Sequence, residues 1–186
     1  MFESTNPSFA VLKKDHDTVK DLFAKFEKAE GRSAKTKIVK QALTELKVHA
    51  TIEEEIFYPA VRKAVGKDIM NEADEEHHVA KVLIAELEEM DGQETHYDAK
   101  FTVLAENVRH HIKEEEGEVL PKAKDAHIDF EALAQAMMER KAKLIAKGVP
   151  ADAEAAMVAA SNGKGDSPAA AADRSNTRAP KTRSAK

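Results

Sequence analysis

Two stretches of the chain place a glutamate four residues after a histidine. The first pair is His49 and Glu53, and the second is His111 and Glu115. Side chains four residues apart on a helix lie on the same face, so each pair can present an imidazole and a carboxylate to one point. A single such pair is ordinarily a surface ion pair. Two pairs in one chain indicate a more specific use, because imidazoles and carboxylates are common ligands of metal ions.

The two pairs belong to a longer internal repeat. They are 62 residues apart, and Pro59 matches Pro121 at the same offset. Upstream, residues 15–17 (Asp-His-Asp) match residues 76–78 (Glu-His-His) at an offset of 61. The duplication brings four histidines and two glutamates into register. The aligned residues are His16, His49, Glu53, His77, His111 and Glu115.

Six ionisable groups on the inner faces of helices are costly to bury unless they are paired or bind a metal. The chain has no cysteine, so the set offers imidazoles and carboxylates without thiolates. That combination suits iron or manganese, with zinc as an alternative. Because two carboxylates can bridge two ions, the count predicts a dinuclear site with two histidines per metal and open positions for water, O₂ or peroxide. Ferritin-type bundles use the order Glu-x-x-His, which differs from the order in this chain.

Helices must position these residues, and apolar residues follow a 3.6-residue period through most of the chain. The predicted fold class is all-α: an up-down-up-down four-helix bundle with an extra C-terminal helix and a disordered tail. Residues 1–150 form the bundle and the capping helix, and residues 151–186 form the tail. Pro59 is expected to kink or end the second helix. The predicted helices span residues 8–29, 33–66, 68–90, 95–118 and 129–147.

The tail differs in composition from the rest of the chain. Residues 151–186 are rich in alanine and have almost no large apolar side chains, so they cannot bury enough surface to offset ordering. Residues 152–160 have the composition of a transient helix. From Arg174 to Lys186 there are five basic residues and no acidic ones. This end could contact nucleic acid or an acidic partner, but without aromatic residues a solvated linker is the preferred interpretation.

Composition also indicates the cellular compartment in which the protein is expected. No apolar run approaches the roughly 20 residues that span a bilayer, and residues 1–6 lack the basic and apolar regions of a secretory signal. The absence of cysteine excludes disulfides and Cys-based zinc fingers. A net charge of −5 does not indicate a nucleic-acid-binding protein as a whole. We therefore expect a cytoplasmic protein with no membrane partner.

The order His, His-x-x-x-Glu, His, His-x-x-x-Glu resembles the hemerythrin-like (HHE) cation-binding family over roughly residues 8–122. The resemblance implies a four-helix bundle that holds a non-haem di-iron centre. By position, it implies that both glutamates bridge the ions and that the ligands are His16, His49, Glu53, His77, His111 and Glu115. Asp15 and Glu76, beside two of these histidines, are candidates to orient ligand rings.

The chain departs from the oxygen-carrying hemerythrins, which have a second histidine one turn away on the third helix. Here the positions four residues either side of His77 are Ala73 and Lys81. A centre with fewer histidines is more open, which favours peroxide or nitric oxide chemistry, sensing in stress response, or iron handling over reversible O₂ carriage. The alternative is an iron-binding module without turnover, used in iron sensing, storage or donation for repair of iron centres. A weaker third hypothesis is a metal-free helical interaction protein.

Two ligand positions have neighbouring alternatives. His78 follows His77, and His110 precedes His111. Adjacent residues on a helix point about 100° apart, so only one of each pair can face the site. The repeat favours His77 and His111, and the helix phase leaves His78 or His110 as replacements.

Tyr58 is a further residue near the predicted centre. It lies five residues after Glu53, which turns it about 140° away on a regular helix. It can approach the metal only if the helix distorts before Pro59. We therefore expect its ring to be packed in the core.

Overall fold

The computed structural model describes residues 6–162, and these residues form helices and short connections without β-strands. The prediction of an all-α bundle is confirmed. The α-helices are α1 (Pro7–Lys28), α2 (Arg32–Ile52), α3 (Tyr58–Val65), α4 (Lys67–Glu88), α5 (Tyr97–Glu114), α6 (Leu120–Ala123), α7 (Phe130–Lys147) and α8 (Ala153–Asn162). Two π-helical turns join them: Glu53–Phe57 lies between α2 and α3, and Glu115–Val119 lies between α5 and α6.

Local sequence sets the ends of these helices. The Asn6 side chain accepts hydrogen bonds from the backbone N–H groups of Ser8 and Phe9 and so caps α1. Asp129 caps α7 in the same way, because a side-chain oxygen there satisfies N–H groups that have no partner within the helix. Gly66 separates α3 from α4 with a φ of 104°, a conformation that favours glycine.

The two π turns let the helices pass through their prolines. The Tyr58 N–H donates to the Glu53 carbonyl, and the Leu120 N–H donates to the Glu115 carbonyl. Both bonds span five residues rather than four. A proline in an α-helix clashes with the carbonyl four residues before it, and the wider turn accommodates Pro59. The helical path therefore continues beyond Pro59 as α3, where the sequence had indicated a kink or an end.

The core consists of two apolar clusters with the ligand positions between them. On α1, His16 lies between Leu12 of one cluster and Val19 of the other. On α2, His49 lies between Leu46 and Ile52 in the same way. The predicted site is thus held from both ends by close-packed side chains, which fix the position of the rings.

Two further helices pack outside the bundle. α7 packs on α1, α2 and the first π turn, and α8 packs on α4. α8 differs from the expectation of disorder from residue 151, because Val158 is buried and the Asp152 side chain accepts a hydrogen bond from the Ala155 N–H. The rest of the predicted tail, including its basic end, lies outside the described residues. Between residues 6 and 162, no helix has both the length and the apolar character to cross a membrane.

Candidate metal centre

The six predicted ligands are buried and meet in the middle of the bundle. Their relative exposures range from 0 to 6%. α1 and α4 each supply one histidine, and the last turns of α2 and α5 each supply another. Each glutamate is the first residue of a π turn. The structure brings together every residue in the aligned set: His16, His49, Glu53, His77, His111 and Glu115.

One group of candidate ligands contains His16, His49, Glu53 and Glu115. One donor atom from each residue lies within 4.8 Å of the others. His16 Nε2 is 3.0 Å from Glu115 Oε2, and His49 Nε2 is 3.2 Å from Glu53 Oε2. Two imidazoles and two carboxylates at this spacing can hold one metal ion.

A second group contains Glu53, His77 and His111, again with donor atoms within 4.8 Å of one another. His77 Nε2 lies 3.3 Å from Glu53 Oε2 and 3.2 Å from His111 Nε2. Glu53 belongs to both groups, so its carboxylate lies between two candidate ion positions. Glu115 belongs to the first group and not to the second. The geometry therefore suits a bridge through Glu53 more directly than the expected pair of bridging glutamates.

The neighbouring histidines face away from this centre. The His78 side chain is 50% exposed, and its Nδ1 lies 2.8 Å from Glu154 of α8. The His110 side chain is 59% exposed. Neither is a member of the two buried groups, so the inward positions on α4 and α5 are those of His77 and His111.

The inward donor atoms lack hydrogen-bond partners. Within residues 6–162, no hydrogen bond of acceptable geometry satisfies Nε2 of His16, Nε2 of His49, or either carboxylate oxygen of Glu53 and Glu115. An unsatisfied buried polar group costs about 1–3 kcal/mol, and more when it is charged. Coordination to a cation would satisfy all of these atoms together. The residues present therefore fit a buried metal centre.

Each histidine turns its other ring nitrogen toward a carboxylate outside the ligand set. An Nδ1–H that donates to such a carboxylate leaves the Nε2 lone pair free to bind a metal and fixes the ring. The pairs are His16 with Glu116 (2.9 Å), His77 with Glu54 (3.0 Å), His111 with Glu76 (2.8 Å) and His49 with Asp15 (3.7 Å). The distance between His49 and Asp15 is too long for a hydrogen bond.

Two lysines hold outer carboxylates in place. Lys20 Nζ lies 3.1 Å from Glu116, and Lys81 Nζ lies 3.1 Å from Glu54. Each lysine stands four residues after a candidate ligand histidine, so the internal repeat builds the same histidine–carboxylate–lysine chain twice. A carboxylate held in this way orients its histidine more firmly than a mobile one.

Tyr58 reaches the centre because the helix distorts before Pro59. In a π turn the hydrogen bond spans five residues, which brings Tyr58 round toward the face of Glu53. Its hydroxyl lies 3.2 Å from His77 Nε2 and 3.4 Å from His111 Nε2. The ring is fully buried. The ring is packed in the core as expected, and the hydroxyl also reaches the two histidines because the helix distorts before Pro59, which is the condition that the sequence had set for this approach.

The buried charges perturb one another strongly. Burial disfavours a charge on His16, but Glu115 and Glu53 outweigh it and raise the pKa of His16 to about 9. Burial lowers the pKa of His49 to about 4. Burial and the nearby Glu115 carboxylate raise the pKa of Glu53 well above its usual range. Burial opposes ionisation of Glu115, but His16 outweighs it and lowers the pKa of Glu115. Protein groups alone thus favour a protonated His16 beside an ionised Glu115.

A cavity of about 30 Å³ adjoins all four histidines. One water molecule needs roughly 10–15 Å³ of such space, so the cavity has room for a molecule of about two heavy atoms. Its other walls are mostly apolar, but Asn107, Glu76 and Lys81 also line it. Asn107 lies four residues before His111, and its Oδ1 is buried without a hydrogen-bond partner in the described part of the chain. The cavity therefore combines small size, mostly apolar walls, one pair of charged side chains and one amide oxygen without a partner.

The Hemerythrin HHE cation binding domain family model matches residues 8–123 of the chain. A DNA nickase from Nostoc sp. is 26% identical over 106 residues, which are 57% of this chain and 30% of the nickase. The chain thus spans less than a third of that relative.

The solved structure of a hemerythrin HHE cation binding domain-containing protein from Mycobacterium kansasii superposes with a TM-score of 0.62. The match has 24% identity and covers 76% of this chain and 93% of that one. At this identity the likeness concerns the fold. The family match and this superposition both agree with the helical bundle that positions the buried histidines and glutamates.

Proposed function

The chain belongs to the hemerythrin HHE cation-binding family, and from this premise we propose that it holds two non-haem iron ions, which bind or react with O₂, peroxide or nitric oxide. Its place would be in stress response or sensing in the cytoplasm. The alternative is iron binding without turnover, in iron sensing, storage or donation. The coarser property, a cation-binding domain with buried histidine and glutamate clusters, does not depend on that choice.

The sharing of Glu53 supports two ions rather than one. One ion would take His16, His49 and Glu115 in addition to Glu53. The other would take His77 and His111, with the Tyr58 hydroxyl as a further nearby oxygen. Imidazole and carboxylate donors without thiolates suit iron, and manganese and zinc are the competing ions.

The single observation that carries small-molecule binding is the cavity beside the four histidines. Its volume of about 30 Å³ suits a diatomic molecule or peroxide. When bound, iron supplies a redox-active Lewis acid at the edge of this space. The protein supplies the rest: apolar walls exclude water, outer carboxylates hold the rings, and the Asn107 amide offers a hydrogen bond to the guest.

Elemental analysis of untagged protein, with an absorption spectrum of the same sample, tests the metal centre. We expect about two irons per chain and a charge-transfer band, as the donor set indicates. Reconstitution with manganese and zinc under the same anaerobic conditions serves as the comparison. A chain that takes up no metal after iron addition would overturn the proposal and favour a metal-free helical module.

Nitric oxide and azide titrations test the cavity. Asn107→Leu keeps the side-chain volume and removes the amide, so we expect unchanged iron content and affinities about 5- to 10-fold weaker, the value of one lost hydrogen bond. Asn71→Leu, an exposed change on α4, is the matched control. Equal affinities in both variants would show that the guest does not use this cavity. Multiple turnovers of peroxide or nitric oxide would separate an enzyme from a binding module.

A further inference from the structure

A crevice beside α4 and α5 contains donor groups that the buried centre does not use. We propose that this acidic crevice is a loading site, at which a divalent cation binds on its way to the buried centre. The inference rests on the proposed metal centre. The acidic crevice is defined by the carboxylates that line it, Glu72, Glu76, Glu114, Glu115 and Glu118.

Two glutamates that line the acidic crevice, Glu76 and Glu114, form a second donor cluster with the exposed His110. Donor atoms of Glu76, His110 and Glu114 lie within 4.8 Å of one another. His110 Nε2 is 3.2 Å from Glu114 Oε1 and 3.5 Å from Glu76 Oε1. The side chains are 59% exposed for His110, 36% for Glu114 and 14% for Glu76. The exposed fraction falls from His110 through Glu114 to Glu76. A hydrated cation can therefore exchange its waters for protein ligands in steps.

The inner end of the acidic crevice is the metal centre itself. Glu115 and His111, both candidate ligands, line the crevice. Glu115 is 1% exposed, its Oε2 lies 3.0 Å from His16 Nε2, and its Oε1 has no hydrogen-bond partner among residues 6–162. A buried carboxylate with one free oxygen at the inner end of the acidic crevice is a favourable destination for a cation, because burial leaves its charge poorly solvated.

Glu76 connects the two ends. Its Oε2 lies 2.8 Å from Nδ1 of His111, and its Oε1 faces His110. The same carboxylate therefore contacts an inner ligand and belongs to the outer cluster. A cation at the outer cluster is one side chain away from the centre.

The charge of the acidic crevice is nearly uncompensated. Five glutamates line it, and no lysine or arginine of the described chain does. Lys122 lies 3.4 Å from Glu118, but both side chains are largely exposed, so water screens this pair. Like charges repel at short range, and a divalent cation relieves that repulsion. A cleft of one sign also raises the local concentration of the opposite ion.

The internal repeat shows that the bundle does not require these acids. Glu76 and Glu115 have acidic counterparts in the first half, but the positions equivalent to the other three glutamates and to His110 are apolar there, and α7 packs against them with Met137 and Leu144. A surface that is sealed in one half is thus open and acidic in the other. The first half has Val11 at the position of Glu72, Val48 at that of His110, Ile52 at that of Glu114 and Ile56 at that of Glu118.

The rate of iron uptake tests the loading site. The double variant His110→Ala/Glu114→Gln removes two of the three outer donors and leaves every candidate ligand of the buried centre in place. We expect anaerobic Fe²⁺ uptake to be about tenfold slower, with unchanged final iron content, because steering by a charged cleft acts on rate. Added salt should slow uptake by the natural chain more than uptake by the variant.

The control is His127→Ala/Glu131→Gln, which removes an exposed histidine and an exposed glutamate that do not line the acidic crevice. We expect it to take up iron at the natural rate. Equal uptake rates and equal salt dependence in all three proteins would overturn the loading site while the buried centre stands. A natural chain that binds no iron at all would instead overturn the metal centre, and the loading site with it.

Discussion

The two halves of the bundle carry the same candidate ligands in different surroundings. In the first half, α7 packs over α1 and α2, and Lys141 of α7 pairs with Asp15 beside His16. In the second half, no helix of the described chain has an equivalent place over the acidic crevice, and Glu76 faces His110 instead of a lysine. The internal repeat therefore accounts for the shared candidate ligands, whereas the packing of α7 makes the surroundings of the two halves different.

The halves also differ at the residue that follows each π turn. Tyr58 follows the first, and Leu120 follows the second. Both are buried, but only the tyrosine brings a hydroxyl to the centre, where it contacts His77 and His111 of the opposite half. The two candidate ion positions are consequently unequal. One has two glutamates, and the other has one glutamate and a phenol.

The glutamates give the largest expected effect. Glu53→Ala should lose both ions, because both donor groups include Glu53. Glu115→Ala and His49→Ala each remove a residue found in the first group alone, and we expect iron to fall from about two toward about one per chain. Elemental analysis measures the difference, and far-UV circular dichroism should show the helices retained.

Glu55→Ala is the control, because Glu55 is exposed and pairs with Arg140 outside the centre. It should keep full iron. If Glu53→Ala and Glu115→Ala lose the same amount of iron, the two ions bind as a unit and the asymmetry between the halves has no effect on occupancy. Full iron in both variants would show the ligand assignment to be wrong.

Protons should compete with the metal ion that binds the first donor group, the group that contains His16 and Glu115. The pKa of His16 is raised to about 9 by Glu115 and Glu53, which outweigh burial. Below that pH a metal must displace the His16 proton, so its apparent affinity should fall about tenfold for each pH unit between 9 and 6. The raised pKa of Glu53 acts in the same direction, whereas Glu115, with a lowered pKa, has no proton to release.

Calorimetry in buffers of different ionisation enthalpy measures this proton release. At pH 7 we expect at least one proton per chain to leave as iron binds. Chelator competition at several pH values gives the affinity slope. Binding that releases no proton and does not depend on pH would mean that His16 is already neutral beside Glu115.

The meeting of the six candidate ligands in one buried group followed from the sequence, because it depends on the helical period and on the internal repeat. His49 and Glu53 share a face whatever the rest of the fold does, and the second copy removed most of the doubt about phase. The carboxylates that contact the outer ring nitrogens of these histidines could be predicted from the sequence only in part. Asp15 and Glu76 stood out as neighbours of histidines, but the contact between His16 and Glu116 joins residues 100 positions apart, and helix packing sets it.

The sequence failed where the helix leaves its regular geometry. A count of 100° per residue put Tyr58 on the wrong face, because it assumed four-residue hydrogen bonds through a stretch that makes five-residue ones. The attachment of α8 to the bundle was missed for a different reason, although a transient helix was expected at residues 152–160. The helix buries little beyond Val158, and its Glu154 contact with His78 joins residues 76 positions apart. Composition alone does not record such a weak, long-range attachment.

Tyr58→Phe gives the smallest expected effect and the sharpest test of the inequality between the ion positions. It removes one oxygen and leaves both donor groups complete, so iron content should stay at about two per chain. The hydroxyl lies close to the Nε2 atoms of His77 and His111, where it could donate a hydrogen bond to a guest bound at the second donor group. Its loss should weaken azide binding several-fold and shift the charge-transfer band, since one hydrogen bond is worth about 1 kcal/mol. Leu120→Met, at the equivalent position of the other half, is the control and should change neither. A spectrum and an azide affinity that are the same in all three proteins would mean that the phenol only fills space, and the two ion positions would then differ in their glutamates alone.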